Sequence, residues 1–397
     1  MSLKIKKFLP YSRQNIGKTD IKAILNVLND DYLTQGPRIE TFEKNFANYV
    51  GSKHAVACAT GTAALHISML ALGMNKNHNL ITSPITFLAT ANCIQFLGGN
   101  TFFSDIDEKT ICLCPNELEK KLKSQKIDVV IAVHMAGHSS EMKSLYELKK
   151  KYNFFLIEDA CHALGGTYNS YKVGSCKYSD ISTFSFHPVK PITTAEGGMI
   201  TTNNKKLYEK LIIYRNHGMH KKINKFKNRH LAINEDGEVN PWYYEMNDLG
   251  YNYRISDIQC ALGINQLKKL DLFLHRRTSL AKFYCQGLEN NHNITLPKIK
   301  NNVKHAYHLF TIRIDFKKIG KTRYKVMQEL RKENIGSQVL YIPLHLQPYY
   351  SEKYNLRIGD FPKAEKYYNE CLSIPLFPGI STSEAEYIVK VLNSIIK

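Results

Sequence analysis

The chain has 397 residues, 43% of them hydrophobic, and carries 54 Lys and Arg against 35 Asp and Glu, a formal net charge of +19. This length and apolar content suffice to bury a sizeable core, which excludes a disordered chain. No stretch reaches the ~20 apolar residues that cross a bilayer, which excludes a helical membrane protein. The lysines are spread along the chain rather than gathered with stacking aromatics, so a basic nucleic-acid-binding module is the weaker class. A positive field of this kind instead favours a substrate that carries a diphosphate.

Met1-Ser-Leu-Lys-Ile-Lys-Lys-Phe8 is basic but lacks the apolar core and cleavage site of a secretion signal, so a cytoplasmic location is expected. Residues 1–14 read as an N-terminal strap, and Tyr11-Ser-Arg13 within it suits either a nucleotide phosphate or a crossing of a dimer. In Ala57 to Gly73, Thr60, Gly61 and Thr62 precede an apolar helical stretch that Gly73 ends. Free amides and hydroxyls at such a helix start attract an anion, and the same residues also make an ordinary N-cap. Ser83-Pro-Ile-Thr-Phe87 ends a strand-like segment, and Phe87 suits stacking on a flat heterocycle or a place in the core.

Phe154-Phe-Leu-Ile-Glu-Asp159 is an apolar run that reads as a buried parallel strand ending in charge, where the ligand crevice of an open α/β sheet lies. Asp159 there suits a partner for the protonated nitrogen of a pyridine ring, and His162 suits a group that orients it. A second apolar strand, Ile181 to Phe186, carries Lys190 out on a turn fixed by Pro188 and Pro191. Desolvation against Phe184 and Phe186 makes the neutral amine of Lys190 accessible, which suits condensation with the aldehyde of pyridoxal phosphate. Ser185 lies five residues earlier, within reach of that cofactor's phosphate.

Residues 217–245 are polar and charged with little periodicity and read as a long loop, either a cover for the substrate or a solvated excursion. Alternating strand and helix patterns fill the first two thirds. They predict an α/β enzyme with a mostly parallel sheet in a large domain at 15–261, followed by a smaller α+β domain at 262–397. The nine cysteines are scattered and odd in number, which predicts reduced thiols rather than a disulfide framework. Cys112-Leu-Cys114 lacks a histidine pair to complete four ligands, so no metal is expected.

Thr34-Gln-Gly-Pro37, Ala59 to Leu65, Thr86 to Asn92, Glu158 to His162, Ser185 to Lys190, Glu196-Gly-Gly198, Arg215 to Gly218 and Gly250 to Arg254 occur here in this order. Together they resemble the DegT/StrS sugar-nucleotide aminotransferases, fold-type-I enzymes that use pyridoxal phosphate, over almost the whole chain. The resemblance implies that Lys190 holds the cofactor, Asp159 pairs with its ring nitrogen, Phe87 stacks on its face and His162 lies near its 3′ oxygen. It also implies that Gly61, Thr62 and Ser185 hold the phosphate, and that Asn252 completes that site across a homodimer. Cys161 departs from the family's usual small residue.

Relatives that use pyridoxamine phosphate for sugar dehydration carry histidine in place of the lysine, and here Lys190 is present. His187-Pro-Val-Lys-Pro-Ile-Thr-Thr194 and Tyr341 to Tyr350 look most like the UDP-4-keto-6-deoxy-sugar 4-transaminases of pseudaminic acid biosynthesis. The resemblance therefore implies transfer of an amino group from L-glutamate to C4 of a UDP-linked 4-keto sugar, or a related nucleotide-sugar 3- or 4-amination. Arg215, Asn216 and His217 are candidates for reading the sugar, and His345, Gln347 and Tyr349 in the Pro-bounded C-terminal segment suit either that role or a polar turn packed against the large domain.

Overall fold

The computed structural model describes residues 7–397. The first six residues of the expected strap, and most of the stretch read for a secretion signal, lie outside that range.

Short apolar runs build the central sheet. His54–Cys58 (β1), Asn79–Thr82 (β2), Asn100–Phe103 (β3), Val129–Val133 (β4) and Phe155–Asp159 (β5) join Ile181–Ser185 and Gly198–Thr202 in seven strands. Their order is β1, Gly198–Thr202, Ile181–Ser185, β5, β4, β2, β3. All pairs from Ile181–Ser185 to β3 are parallel, whereas Gly198–Thr202 runs antiparallel to both of its neighbours. The sheet is thus mostly parallel, and β4 is buried along its whole length, as a strand covered on both faces must be.

Helices Lys18–Leu28 (α1), Pro37–Val50 (α2), Gly61–Ala71 (α3) and Leu88–Gln95 (α4) occupy the first hundred residues. α3 buries nine of its 11 residues, the mark of a helix apolar on every side that packs between layers. It ends as its sequence predicts, with Gly73 at φ +79° just past the last turn. The glycine of Thr34-Gln-Gly-Pro37 has a packing reason: a Cβ on Gly36 would lie 2.7 Å from Asp257 Oδ1. That carboxylate accepts the amides of Gly36 at 2.8 Å and Arg38 at 2.9 Å and so caps α2.

The long helix Asp257–Leu288 opens with a capping box between Ser256 and Gln259. Its first half packs on Phe42, Phe46 and Phe186 beside the large sheet. Its last turns, with Leu280, Tyr284 and Leu288, join a second cluster around Phe310, Ile312, Leu372 and Ile388. That cluster lies on a three-stranded antiparallel sheet of Ile294–Thr295, Phe310–Ile314 and Cys371–Ile374. Residues 9–12 tie the two regions together: Leu9 exchanges backbone hydrogen bonds with Asn334 and Gly336, the Tyr11 carbonyl accepts from Leu376, and Ser12 Oγ donates to the Val189 carbonyl at 2.9 Å.

The segment 217–245 is more ordered than its polar composition predicts. Met219–His220 pairs with Glu245–Met246, and the Glu245 carboxylate accepts the amides of Lys227 and Asn228, both at 2.7 Å, and the Tyr243 hydroxyl at 2.8 Å. One buried acid thus organises a stretch in which hydrophobic periodicity is absent. Among the described residues no helix is long and apolar enough to cross a membrane.

Candidate active site

β1, β2, β4, β5 and Ile181–Ser185 run in one direction, so their carboxyl ends share an edge, the place where open α/β sheets bind ligands. There the chain encloses a cavity of about 510 Å³. Each strand contributes to its wall: Thr60, Gly61 and Thr62 after β1, Thr86, Phe87 and Thr90 after β2, Val133 from β4, Asp159, Cys161 and His162 from β5, and Ser185 to Lys190 after the next strand.

At one end lies the start of α3. Thr60 caps it through Oγ1, which accepts the Ala63 amide at 3.0 Å, while the amides of Gly61 and Thr62 precede the first intrahelical hydrogen bonds. A Cβ on Gly61 would stand 2.8 Å from the Ser185 Cβ, so glycine is what lets the helix start touch that strand. The three residues expected to hold a phosphate therefore form one continuous cradle.

In the middle stands Asp159, 6% exposed. Its Oδ2 accepts from Thr90 Oγ1 at 2.7 Å and its Oδ1 from the Cys161 amide at 3.2 Å, while Thr86 Oγ1 lies 2.8 Å from Thr90 Oγ1. Lys190 sits on a turn closed by its own amide donating to the His187 carbonyl at 2.9 Å. Burial pushes its amine below the ordinary lysine value, against the opposing pull of Cys161 and Asp159. Burial and the nearby Asp159 push the Cys161 thiol well above its usual range, so it stays protonated.

His162 is buried, and burial with the Lys190 charge holds it well below the usual histidine range, hence neutral. Its Nε2 lies 3.2 Å from the Tyr341 hydroxyl, the two rings stack at 24°, and its Nδ1 is buried without a protein partner. His308 also packs against it, with ring centroids 4.4 Å apart. Phe87, the N-cap of α4, is 55% exposed, and its ring forms part of the cavity wall.

The structure thus brings together Gly61, Thr62, Phe87, Asp159, His162, Ser185 and Lys190. Asn252 is exposed and lies outside the cavity, bridged through its backbone to Asn216. The sugar-reading candidates are not at this cavity. His345 is fully buried with Nε2 3.0 Å from Glu365 Oε1 and Nδ1 without a protein partner, and it does not line this cavity. Gln347 lies outside the cavity, at the N-cap of the helix Pro348–Tyr354. His217 stands at φ 57° with its amide donating to the Tyr251 carbonyl at 3.0 Å, and Arg215 is committed to Glu43 and the Ala57 carbonyl. Sequence reasoning missed Tyr341, Thr86 and Thr90. Tyr341 stood within the same C-terminal phrase as His345, and both threonines flank Phe87, but nothing local marks their partners.

The model of the DegT/DnrJ/EryC1/StrS aminotransferase family matches residues 14–393. The UDP-4-amino-4,6-dideoxy-N-acetyl-beta-L-altrosamine transaminase of Campylobacter jejuni is 38% identical over 399 residues, covering 98% of each chain. Among solved structures, Helicobacter pylori PseC, an aminotransferase in pseudaminic acid biosynthesis, superposes with TM-score 0.88 at 32% identity, covering 98% of this chain and 99% of that one. Spr1654 of Streptococcus pneumoniae in its PLP form gives TM-score 0.85 at 25% identity, covering 98% of this chain and 100% of the other.

Proposed function

Because the chain belongs to the DegT/DnrJ/EryC1/StrS aminotransferase family, we propose that it transfers the amino group of L-glutamate to C4 of a UDP-linked 4-keto-6-deoxy-N-acetylhexosamine, with pyridoxal phosphate as carrier. The products are 2-oxoglutarate and the UDP-linked 4-amino sugar. One observation carries the cofactor assignment: five segments of the chain converge on one cavity with an anion cradle, an exposed aromatic ring, a buried carboxylate and a desolvated lysine. The Campylobacter and Helicobacter relatives support the choice of sugar.

The residues fit the cofactor. The amides of Gly61 and Thr62, the helix dipole behind them and the Ser185 hydroxyl would hold its phosphate. Phe87 would cover one face of its ring, and Asp159 would keep a proton on the ring nitrogen. When bound, pyridoxal phosphate supplies the carbonyl carbon that carries the amino group and a ring that accepts electrons. Lys190, its ammonium disfavoured by burial, holds the cofactor between turnovers and then serves as the base that moves the α-proton of the amino donor. In the second half it returns a proton to C4 of the sugar. His162, neutral and braced by Tyr341, would orient the oxygenated edge of the ring. Asn252, exposed in the single chain, would complete the phosphate site of a second copy.

An absorbance titration tests this reading. Purified protein supplied with pyridoxal phosphate should develop a visible band that Lys190→Arg lacks, and L-glutamate should bleach it with release of one 2-oxoglutarate per site. Subsequent UDP-4-keto sugar should restore the band and give a 4-amino product by mass spectrometry. Absence of the band would overturn the cofactor assignment, a band indifferent to glutamate would overturn the donor, and a bleached form that the 4-keto sugar cannot restore would overturn the acceptor.

A further inference from the structure

We propose that Thr90, with Thr86 behind it, is the positioning residue that fixes the Asp159 carboxylate and aims it at the cofactor's ring nitrogen. The inference rests on the role given to Asp159 above.

The direction of the hydrogen bonds follows from proton counting. An ionised carboxylate only accepts, so the single hydroxyl proton of Thr90 goes to Asp159 Oδ2 at 2.7 Å. The 2.8 Å contact between the two threonine hydroxyls is then donated by Thr86. A one-way relay runs from Thr86 through Thr90 to Asp159, while the Cys161 amide donates to the other oxygen at 3.2 Å. One protein donor on each oxygen fixes the rotation of the carboxylate and leaves lone pairs for a ligand.

All three side chains line the cavity, with Thr86 1%, Thr90 0% and Asp159 6% exposed. In such surroundings, with little water to compete, donors aimed at a carboxylate hold its orientation strongly. A threonine in a helix commonly returns its hydroxyl to the carbonyl four residues back. Thr90 spends its proton on another strand instead. The two threonines are four residues apart around Phe87, so the start of α4 sets both the aromatic wall and the acid at the centre of the site.

Holoenzyme reconstituted with pyridoxal phosphate labelled with 15N in the ring tests this by NMR. Thr90→Val keeps the shape and deletes the donor. It should lower the protonated fraction of the ring nitrogen and reduce kcat roughly ten- to hundredfold, the factor for one hydrogen bond to a charged group, with KM for L-glutamate little changed. Thr90→Ser should restore both, and Thr86→Val should shift the signal the same way by less. A folded Thr90→Val enzyme with the parent's nitrogen signal and kcat would overturn the proposal. If valine fails to fold, Thr90→Ala is judged by the same two readouts. Asp159→Asn separates the layers: a parental nitrogen signal there refutes the role of Asp159 itself, whereas its loss there with retention in Thr90→Val refutes only the relay.

Discussion

Gly61→Ala probes the phosphate cradle with a single methyl group. The backbone at Gly61 is not in the left-handed region, so alanine is conformationally allowed, and in a helix it gains up to about 1 kcal/mol over glycine. Against this, the new Cβ would stand 2.8 Å from Ser185 Cβ and 3.2 Å from its Oγ. Carbon atoms rest roughly 3.5–4.0 Å apart, so the helix start and the strand must part by close to an ångström. Such overpacking costs roughly 1–3 kcal/mol. The overpacking outweighs the propensity gain over most of this range, so the apo protein should lose up to about 3 kcal/mol. The cradle fares worse, because its amides and the Ser185 hydroxyl no longer converge. Losing one charge-assisted contact of about 1.5–3 kcal/mol should raise the Kd for pyridoxal phosphate by roughly ten- to a hundredfold. Equilibrium dialysis with the cofactor, alongside urea unfolding of the apo protein, separates the effects. Adding Ser185→Gly should relieve the clash and recover stability without recovering affinity. A Gly61→Ala protein with parental affinity would show that the phosphate lies elsewhere.

Tyr341→Phe removes the hydroxyl at His162 Nε2 while keeping the stacked ring, so cofactor affinity should weaken by roughly tenfold or less, the scale of one neutral hydrogen bond, with the fold intact; an unchanged affinity would remove this bond from the site. His345→Leu removes one donor from the Glu365 carboxylate, which keeps the Gly359 and Phe361 amides, so stability should fall by roughly 0.5–1.5 kcal/mol while KM for the sugar nucleotide stays as it was, and a raised KM would point to His345 as a ligand. Burial lowers the histidines 66, 138, 162, 305, 308 and 345, His305 to about 3. Below about pH 6.5 the unfolded chain takes up protons that these rings refuse. Stability is therefore whole above that pH and falls beneath it, before the lowered carboxylates Asp20, Asp107 and Glu158 respond. Glu43, pushed up by burial, works the other way. The urea midpoint should drop from pH 7.5 to 5.5, and a flat or rising midpoint would refute this account.

What the sequence made legible at this site is what the chain builds locally. A buried strand that ends in Asp159, a strand and turn that deliver Lys190, and a helix opening at Gly61 are each written within a dozen residues, and their motifs stand in chain order. What stayed hidden depends on distance along the chain. Thr90 meets Asp159 across 69 residues and Tyr341 meets His162 across 179, and no periodicity announces either partner. His345 shows the same limit: its partner Glu365 stands 20 residues later, and nothing in its Pro-bounded polar phrase announces that pairing. The same holds for the rest of the cavity wall. From the N-terminal strap Tyr11 reaches the cavity wall, and from the C-terminal third Leu340 and Tyr341 do. The N-terminal segment also meets the Lys190 turn directly, where Ser12 Oγ donates to the Val189 carbonyl. Tyr11 and Tyr341 thus line the cavity from segments far along the chain from Lys190, a placement that no local pattern in the sequence announces.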